Sequence, residues 1–164
     1  LLGPLTNPAG AKRQLMGTSR PELTETLAAV LAARGAEFAW VVHGHDGLCD
    51  LTITGPTHIT ELNHGVIRTF TIHPRDVGFE VASLDTLLID SPKASAEAIL
   101  DILDGRDRGP RLRQALLNAG AALLVAGLAD DLPAAVARAA KTIDDQSARQ
   151  TLDRLVEVSY ATMY

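Results

Sequence analysis

Five apolar residues in a row, Phe38-Ala39-Trp40-Val41-Val42, run straight into a polar, glycine-rich stretch, His43-Gly44-His45-Asp46-Gly47. No other feature constrains the fold as strongly. A strand with one wet face alternates apolar and polar residues, whereas an unbroken run reads as a strand buried on both faces, as in an α/β sheet. A helix is expected just before it. Leu23, Leu27, Val30 and Leu31 recur at helical spacing, Ser19-Arg20-Pro21-Glu22 matches a capping box, and Gly35 can end the helix. In open α/β folds ligands bind at loops on the carboxyl ends of such strands, so chemistry is sought first in residues 43–50.

The flanking segments complete an α/β reading. Gly3, Pro4, Asn7, Pro8 and Gly10 give the first ten residues loop character, and Gln14 to Gly17 reads as a short strand. Leu51-Thr52-Ile53-Thr54, His58 to Leu62 and Val66 to Ile72 are rich in β-branched residues and alternate. Asn63-His64-Gly65 between the last two is a turn signal, which predicts a β-hairpin with one buried face. The second half is helical. Pro92 opens a helix to Leu103 that stops at Gly105, Gly109-Pro110 opens another through Ala126, and Pro133 starts a third through Lys141. Ser147-Ala148-Arg149-Gln150, a second capping box, opens the last. The expected sheet is mixed and mostly parallel, with a β-hairpin and C-terminal helices.

Charge and composition narrow the function. The formal net charge is −5, and the densest basic stretch, Arg106, Arg108, Arg111 and Arg113, is interleaved with Asp104 and Asp107. That is a solvated helix start rather than a footprint for nucleic acid, which needs clustered Lys and Arg on one face. The longest apolar stretch, Ala119 to Ala129, falls well short of the roughly 18–20 residues of a membrane span. No basic-then-apolar leader pattern opens the chain. Cys49 is the only cysteine, so no internal disulfide can form, which fits a reducing cytoplasm.

Common catalytic signatures are missing: no G-x-G-x-x-G, P-loop, H-E-x-x-H or G-x-S-x-G occurs. The stretch His43 to Asp50 offers two imidazoles, two carboxylates and a thiol. It reads as a plain glycine-rich turn, as a hard-cation site built on Asp46 or Asp50, or as a zinc site from His43, His45 and Cys49 that lacks an evident fourth ligand.

His43-Gly44-x-Asp46-Gly47-Leu48 is similar to the H-G-x-D-G-L-D-E segment of anthranilate phosphoribosyltransferases, members of glycosyltransferase family 3 with a nucleoside-phosphorylase-like fold. Gly3-Pro4-Leu5-Thr6-Asn7-Pro8, Gln14-Leu15-Met16-Gly17, Gly55-Pro56-Thr57, Glu61-Leu62, Gly109-Pro110, Leu116-Leu117-Asn118-Ala119 and Val125-Ala126-Gly127 follow that family's order. The resemblance runs from Leu1 to about Val156. It implies that residues 1–164 are the C-terminal part of the family's α/β domain, without its N-terminal helical domain. The pyrophosphate-binding G-T-G-G-D loop, which the family carries upstream, is also absent.

The implied reaction joins anthranilate to phosphoribosyl pyrophosphate with Mg²⁺. The intact enzyme is expected to be a cytoplasmic homodimer. The resemblance places Gly3 and Pro4 where anthranilate enters, as substrate-binding residues. The family's metal-holding Asp-Glu pair falls on Cys49 and Asp50. Asp50 keeps a carboxylate, whereas Mg²⁺ prefers oxygen to a soft thiolate, so Cys49 is expected not to ligate. At Ile89-Asp90-Ser91 the family's Gly-Gly-Asp is altered. No catalytic residue is assigned, and the isolated chain is expected to be inactive. Two alternatives stand beside this reading: a non-catalytic paralogue of the same fold, and another phosphoribosyltransferase or nucleoside phosphorylase.

Overall fold

The computed structural model describes residues 2–6 and 9–161. Four strands form one sheet in the order β1 (Arg13–Gly17), β2 (Phe38–Gly44), β3 (Thr57–Asn63) and β4 (Val66–Ile72). The sheet is mixed, as expected, but its balance differs from the mostly parallel expectation. Only β1·β2 is parallel, while β2·β3 and β3·β4 are antiparallel. A crossover helix lies between β1 and β2, whereas residues 45–56 and the two-residue turn 64–65 join the later strands without one.

Helices cover both faces. On one side, α2 (Thr24–Ala33) packs Leu27, Ala28 and Leu31 against Met16, Ala39, Val41 and Leu62. On the other, α4 (Pro110–Val125) and α5 (Leu132–Asp144) pack Leu116, Leu117, Ala121 and Val136 against Trp40, Val42 and Ile59. Alternate residues of β2 therefore enter opposite cores, and both sets must be apolar; this is why the run is unbroken. α4 and α5 touch closely at Gly120, where a Cβ would lie 2.7 Å from Val136 Cγ2. α1 is a single turn (Leu2–Leu5), and α3 (Pro92–Leu103) and α6 (Ser147–Ala161) complete the chain. No helix among the described residues is long and apolar enough to cross a membrane.

Three local expectations change. Leu51, Thr52 and Ile53 are buried, but the segment through Thr54 is not a strand. Its backbone is satisfied mostly by side chains instead: Leu51 N–H donates to Asn118 Oδ1 (3.0 Å) and Ile53 N–H to Gln114 Oε1 (3.0 Å), both side-chain amides donate back to Leu51 O, and Ile53 O accepts from Ala82 N–H (3.1 Å). Neither expected capping box forms. Thr18, not Ser19, accepts from Arg20 N–H (3.2 Å). Ser147 is the first helical residue of α6 and is held by Asp145, which accepts from its N–H (3.0 Å). β3 is buried on both faces rather than one, because α2 reaches it: Thr60 Oγ1 donates to Thr24 Oγ1 (2.9 Å). The hairpin turn is as expected, with His64 and Gly65 both at positive φ (45° and 85°).

The first half of the basic stretch is consumed locally. Arg106 pairs with Asp101 and Asp104, Arg108 pairs with Asp144, and Asp104 also binds Arg149 of α6.

Candidate functional site

The loop after β2 is built around close backbone approaches. A Cβ on Gly17, the last residue of β1, would lie 1.6 Å from the carbonyl oxygen of Cys49. Only glycine lets the loop fold down onto the end of β1. Gly44 has the same constraint, since its Cβ would meet Asp46 Oδ1 at 2.6 Å. Gly47 sits at φ 89°, in the left-handed region that favours glycine. Gly44 N–H donates to Leu48 O and Gly47 N–H to Gly44 O (both 2.9 Å), closing a tight loop.

Asp46 is the knot of this loop. Its Oδ2 accepts from Thr52 Oγ1 (2.5 Å) and Thr54 Oγ1 (2.6 Å), and its Oδ1 from Leu48 N–H (3.1 Å). Burial works to raise its pKa, but the hydroxyl and amide donors, helped by His45, outweigh it and hold the carboxyl below its ordinary value. With its oxygens so engaged, Asp46 is a structural group rather than an open ligand.

The two imidazoles point apart. His43 Nδ1 lies 2.9 Å from the carbonyl oxygen of Thr18. A carbonyl can only accept, so Nδ1 carries the proton. The His45 ring covers Gly55, where a Cβ would fall 2.4 Å from its Cε1. No group of three or more His, Cys, Asp or Glu is arranged to hold a metal ion among the described residues. The zinc reading of His43, His45 and Cys49 thus has no geometric support.

Cys49 and Asp50 are both exposed, and Asp50 also stands on the lining of a cleft beside α3 and α4. Gly3 and Pro4 lie elsewhere. They belong to the one-turn α1, are exposed, and Pro4 borders a small recess with Gln14, Leu31 and Ala36. That recess is at the start of β1 and β2, whereas Cys49 meets the end of β1. The structure does not bring the two pairs of expected site residues together. Asn7 and Pro8 of the same motif lie outside the described residues. Sequence reasoning missed Thr52, Thr54, Gln114 and Asn118, which fix the loop and the segment behind it. The i, i+4 spacing of Gln114 and Asn118 was the available signal for a shared helix face.

This fold and this loop define an α/β glycosyl-transfer domain. The chain belongs to the family described as "Glycosyl transferase family, a/b domain", which matches residues 1–149. Its relatives include anthranilate phosphoribosyltransferases from Rhodospirillum rubrum, 48% identical over 96% of this chain and 45% of the relative, and from Methylobacterium sp. strain 4-46, 50% identical over 98% and 48%. The crystal structure of anthranilate phosphoribosyltransferase from Thermus thermophilus superimposes with a TM-score of 0.86 at 33% identity, covering 95% of this chain and 46% of that one. The Saccharomyces cerevisiae enzyme in complex with phosphoribosyl pyrophosphate and Mg shares the fold at 23% identity, with a TM-score of 0.86 over 95% of this chain and 45% of its own. The chain spans about half the length of the curated relatives it matches.

Proposed function

We propose that this chain is the C-terminal α/β portion of an anthranilate phosphoribosyltransferase of tryptophan biosynthesis. The parent enzyme would be a cytoplasmic homodimer whose other half carries the N-terminal helical domain and the pyrophosphate-binding loop. The observation that carries the reading is the locked loop at the carboxyl end of β2, presenting Asp50 to solvent in a chain 48% identical to the Rhodospirillum rubrum enzyme. The donor set fits Mg²⁺ in one respect: Asp50 offers a hard, accessible oxygen, which suffices for an ion that keeps several waters and leans on substrate phosphates. Cys49 does not fit, and Asp46 is already engaged.

In the proposed reaction the anthranilate amine attacks the anomeric carbon of the ribose as pyrophosphate leaves, and the amine proton passes to solvent or a base. Mg²⁺, when bound, would neutralise charge on the departing pyrophosphate. The chain's own contribution is positional. Asp46, Thr52 and Thr54 fix the loop backbone, so that the exposed carboxylate is held before substrate arrives.

The test is a chimera joining the N-terminal half of the Rhodospirillum rubrum enzyme to this chain, assayed for anthranilate consumption with phosphoribosyl pyrophosphate and Mg²⁺. The chain alone should show no turnover. The chimera should turn over, on the order of 1 per second at best. Cys49 favours a second reading, a paralogue that binds without reacting; on that reading the chimera is inert until Cys49→Asp restores activity. A folded chimera inert with and without that change would sink the enzymatic assignment.

A further inference from the structure

We infer that a cleft between α3, α4 and the turn at 84–89 binds a small apolar monocarboxylate, anchored by Arg111. The cavity measures about 290 Å³, and Leu87, Ile89, Ile99 and Ile102 form its apolar wall. Ile99 on this wall is 52% exposed, and the neighbouring Leu88 is 60% exposed. Arg111 also lines the cavity. Its guanidinium is half-buried, its Nη2 donates to Leu88 O (3.2 Å), and its Nε is buried with no hydrogen-bond partner. No carboxylate lies within ion-pair reach of Arg111 among the described residues, although the neighbouring Arg106 and Arg108 are both paired. Arg113 Nε is unpartnered in the same way, so what singles out Arg111 is its place on the cavity lining, where a guanidinium without an ion pair can meet an acceptor from outside the chain.

The other polar groups of the cleft narrow the ligand class. Gln114 and Asn118 are committed to Leu51 and Ile53 and hold little in reserve. Asp50 stands on the same lining and would repel a multiply charged anion. A phosphate would need a second cation, and none lines the cavity. A single carboxylate matches the planar fork of one arginine, and a one- or two-ring hydrocarbon body matches the apolar wall and the volume. The cleft shares Asp50 with the proposed metal site, but its apolar wall and Arg111 take no part in the proposed reaction, so binding here can be tested whether or not the transferase reading holds.

The test is direct binding. The ¹⁵N-labelled chain is titrated with 2-naphthoate and, separately, with the neutral 2-naphthalenemethanol, and amide shifts are followed by NMR. Saturable shifts confined to residues 84–89, α3 and the first half of α4 are expected, with the carboxylate bound about tenfold more tightly than the alcohol. Arg111→Met, which keeps the bulk of the side chain, should reduce naphthoate to the affinity of the alcohol and leave the alcohol unchanged. Equal binding of the two probes by the parent chain, shifts scattered over other surfaces, or no saturable shift up to millimolar probe would each overturn the proposal. The comparison of probes on the parent chain stands whether or not the variant folds.

Discussion

Asp46 and Gly17 carry more of the loop after β2 than the residues that look reactive. Replacing Asp46 with Ala removes three hydrogen bonds to a charged group, and a loss of about 2 kcal/mol is expected in urea denaturation at neutral pH. The pH dependence has a fixed sign. Because the folded carboxyl titrates below its unfolded value, its stabilisation is complete above about pH 3.9 and fades as pH falls through the lower folded value. The stability gap between parent and Asp46→Asn should therefore be steady from neutral pH down to about 4 and shrink below it. Gly17→Ala should be worse than its size suggests, costing about 2–3 kcal/mol by forcing the Cys49 carbonyl off β1. A thermal midpoint unchanged in Gly17→Ala would mean that the loop has room the structure does not show. In the sequence Gly17 stands out only as a member of a short strand, because close approach between segments 32 positions apart leaves no local pattern.

At the scale of elements, what is legible in the sequence follows from local physics. β2 is plain because a doubly buried strand must be apolar at every position. The β3–β4 turn is plain because His64-Gly65 takes two positive φ angles. The capping boxes fail because four-residue matches ignore the backbone ahead of them: Gln146 is at φ 62°, so the helix begins at Ser147 rather than after it. Leu51 to Thr54 fails for a different reason. Its β-branched pattern is genuine, but its backbone is held mainly by the side chains of Gln114 and Asn118, more than sixty residues away, and of Thr57, not by the backbone ladder of another strand. That dependence can be measured. Asn118→Ala strands the Leu51 N–H in a buried setting and should cost about 2 kcal/mol by chemical denaturation, more than an ordinary surface change in α4. A cost no larger than that of an exposed α4 position would mean that water replaces the lost amide.

At the scale of the whole molecule, the chain has surfaces with no partner of their own. β1 lies at one end of the sheet order, with a single neighbour among the described residues. An unpaired edge of this kind invites another strand. β4 is the other edge, and there Arg68, 67% exposed and bound to Glu61, supplies a charge of the sort that discourages pairing. α6 exposes Leu155 (64%) and Tyr160 (63%) along a helix that touches the body mainly through α5 and α3. The relatives are about twice as long, and on the proposed reading the rest of the parent enzyme would cover these surfaces. The isolated chain should therefore elute from a sizing column as more than a monomer, and it should brighten an anilinonaphthalene dye more than an intact domain does. The two readouts separate the causes. The chimera with the Rhodospirillum rubrum half should lose the dye signal and settle to one defined species. Shortening α6 before Leu155 in the isolated chain should reduce the dye signal while leaving association through β1 in place. A compact monomer with no dye signal would show that β1 and α6 need no cover, and the proposal of a missing half packed against them would fall with it.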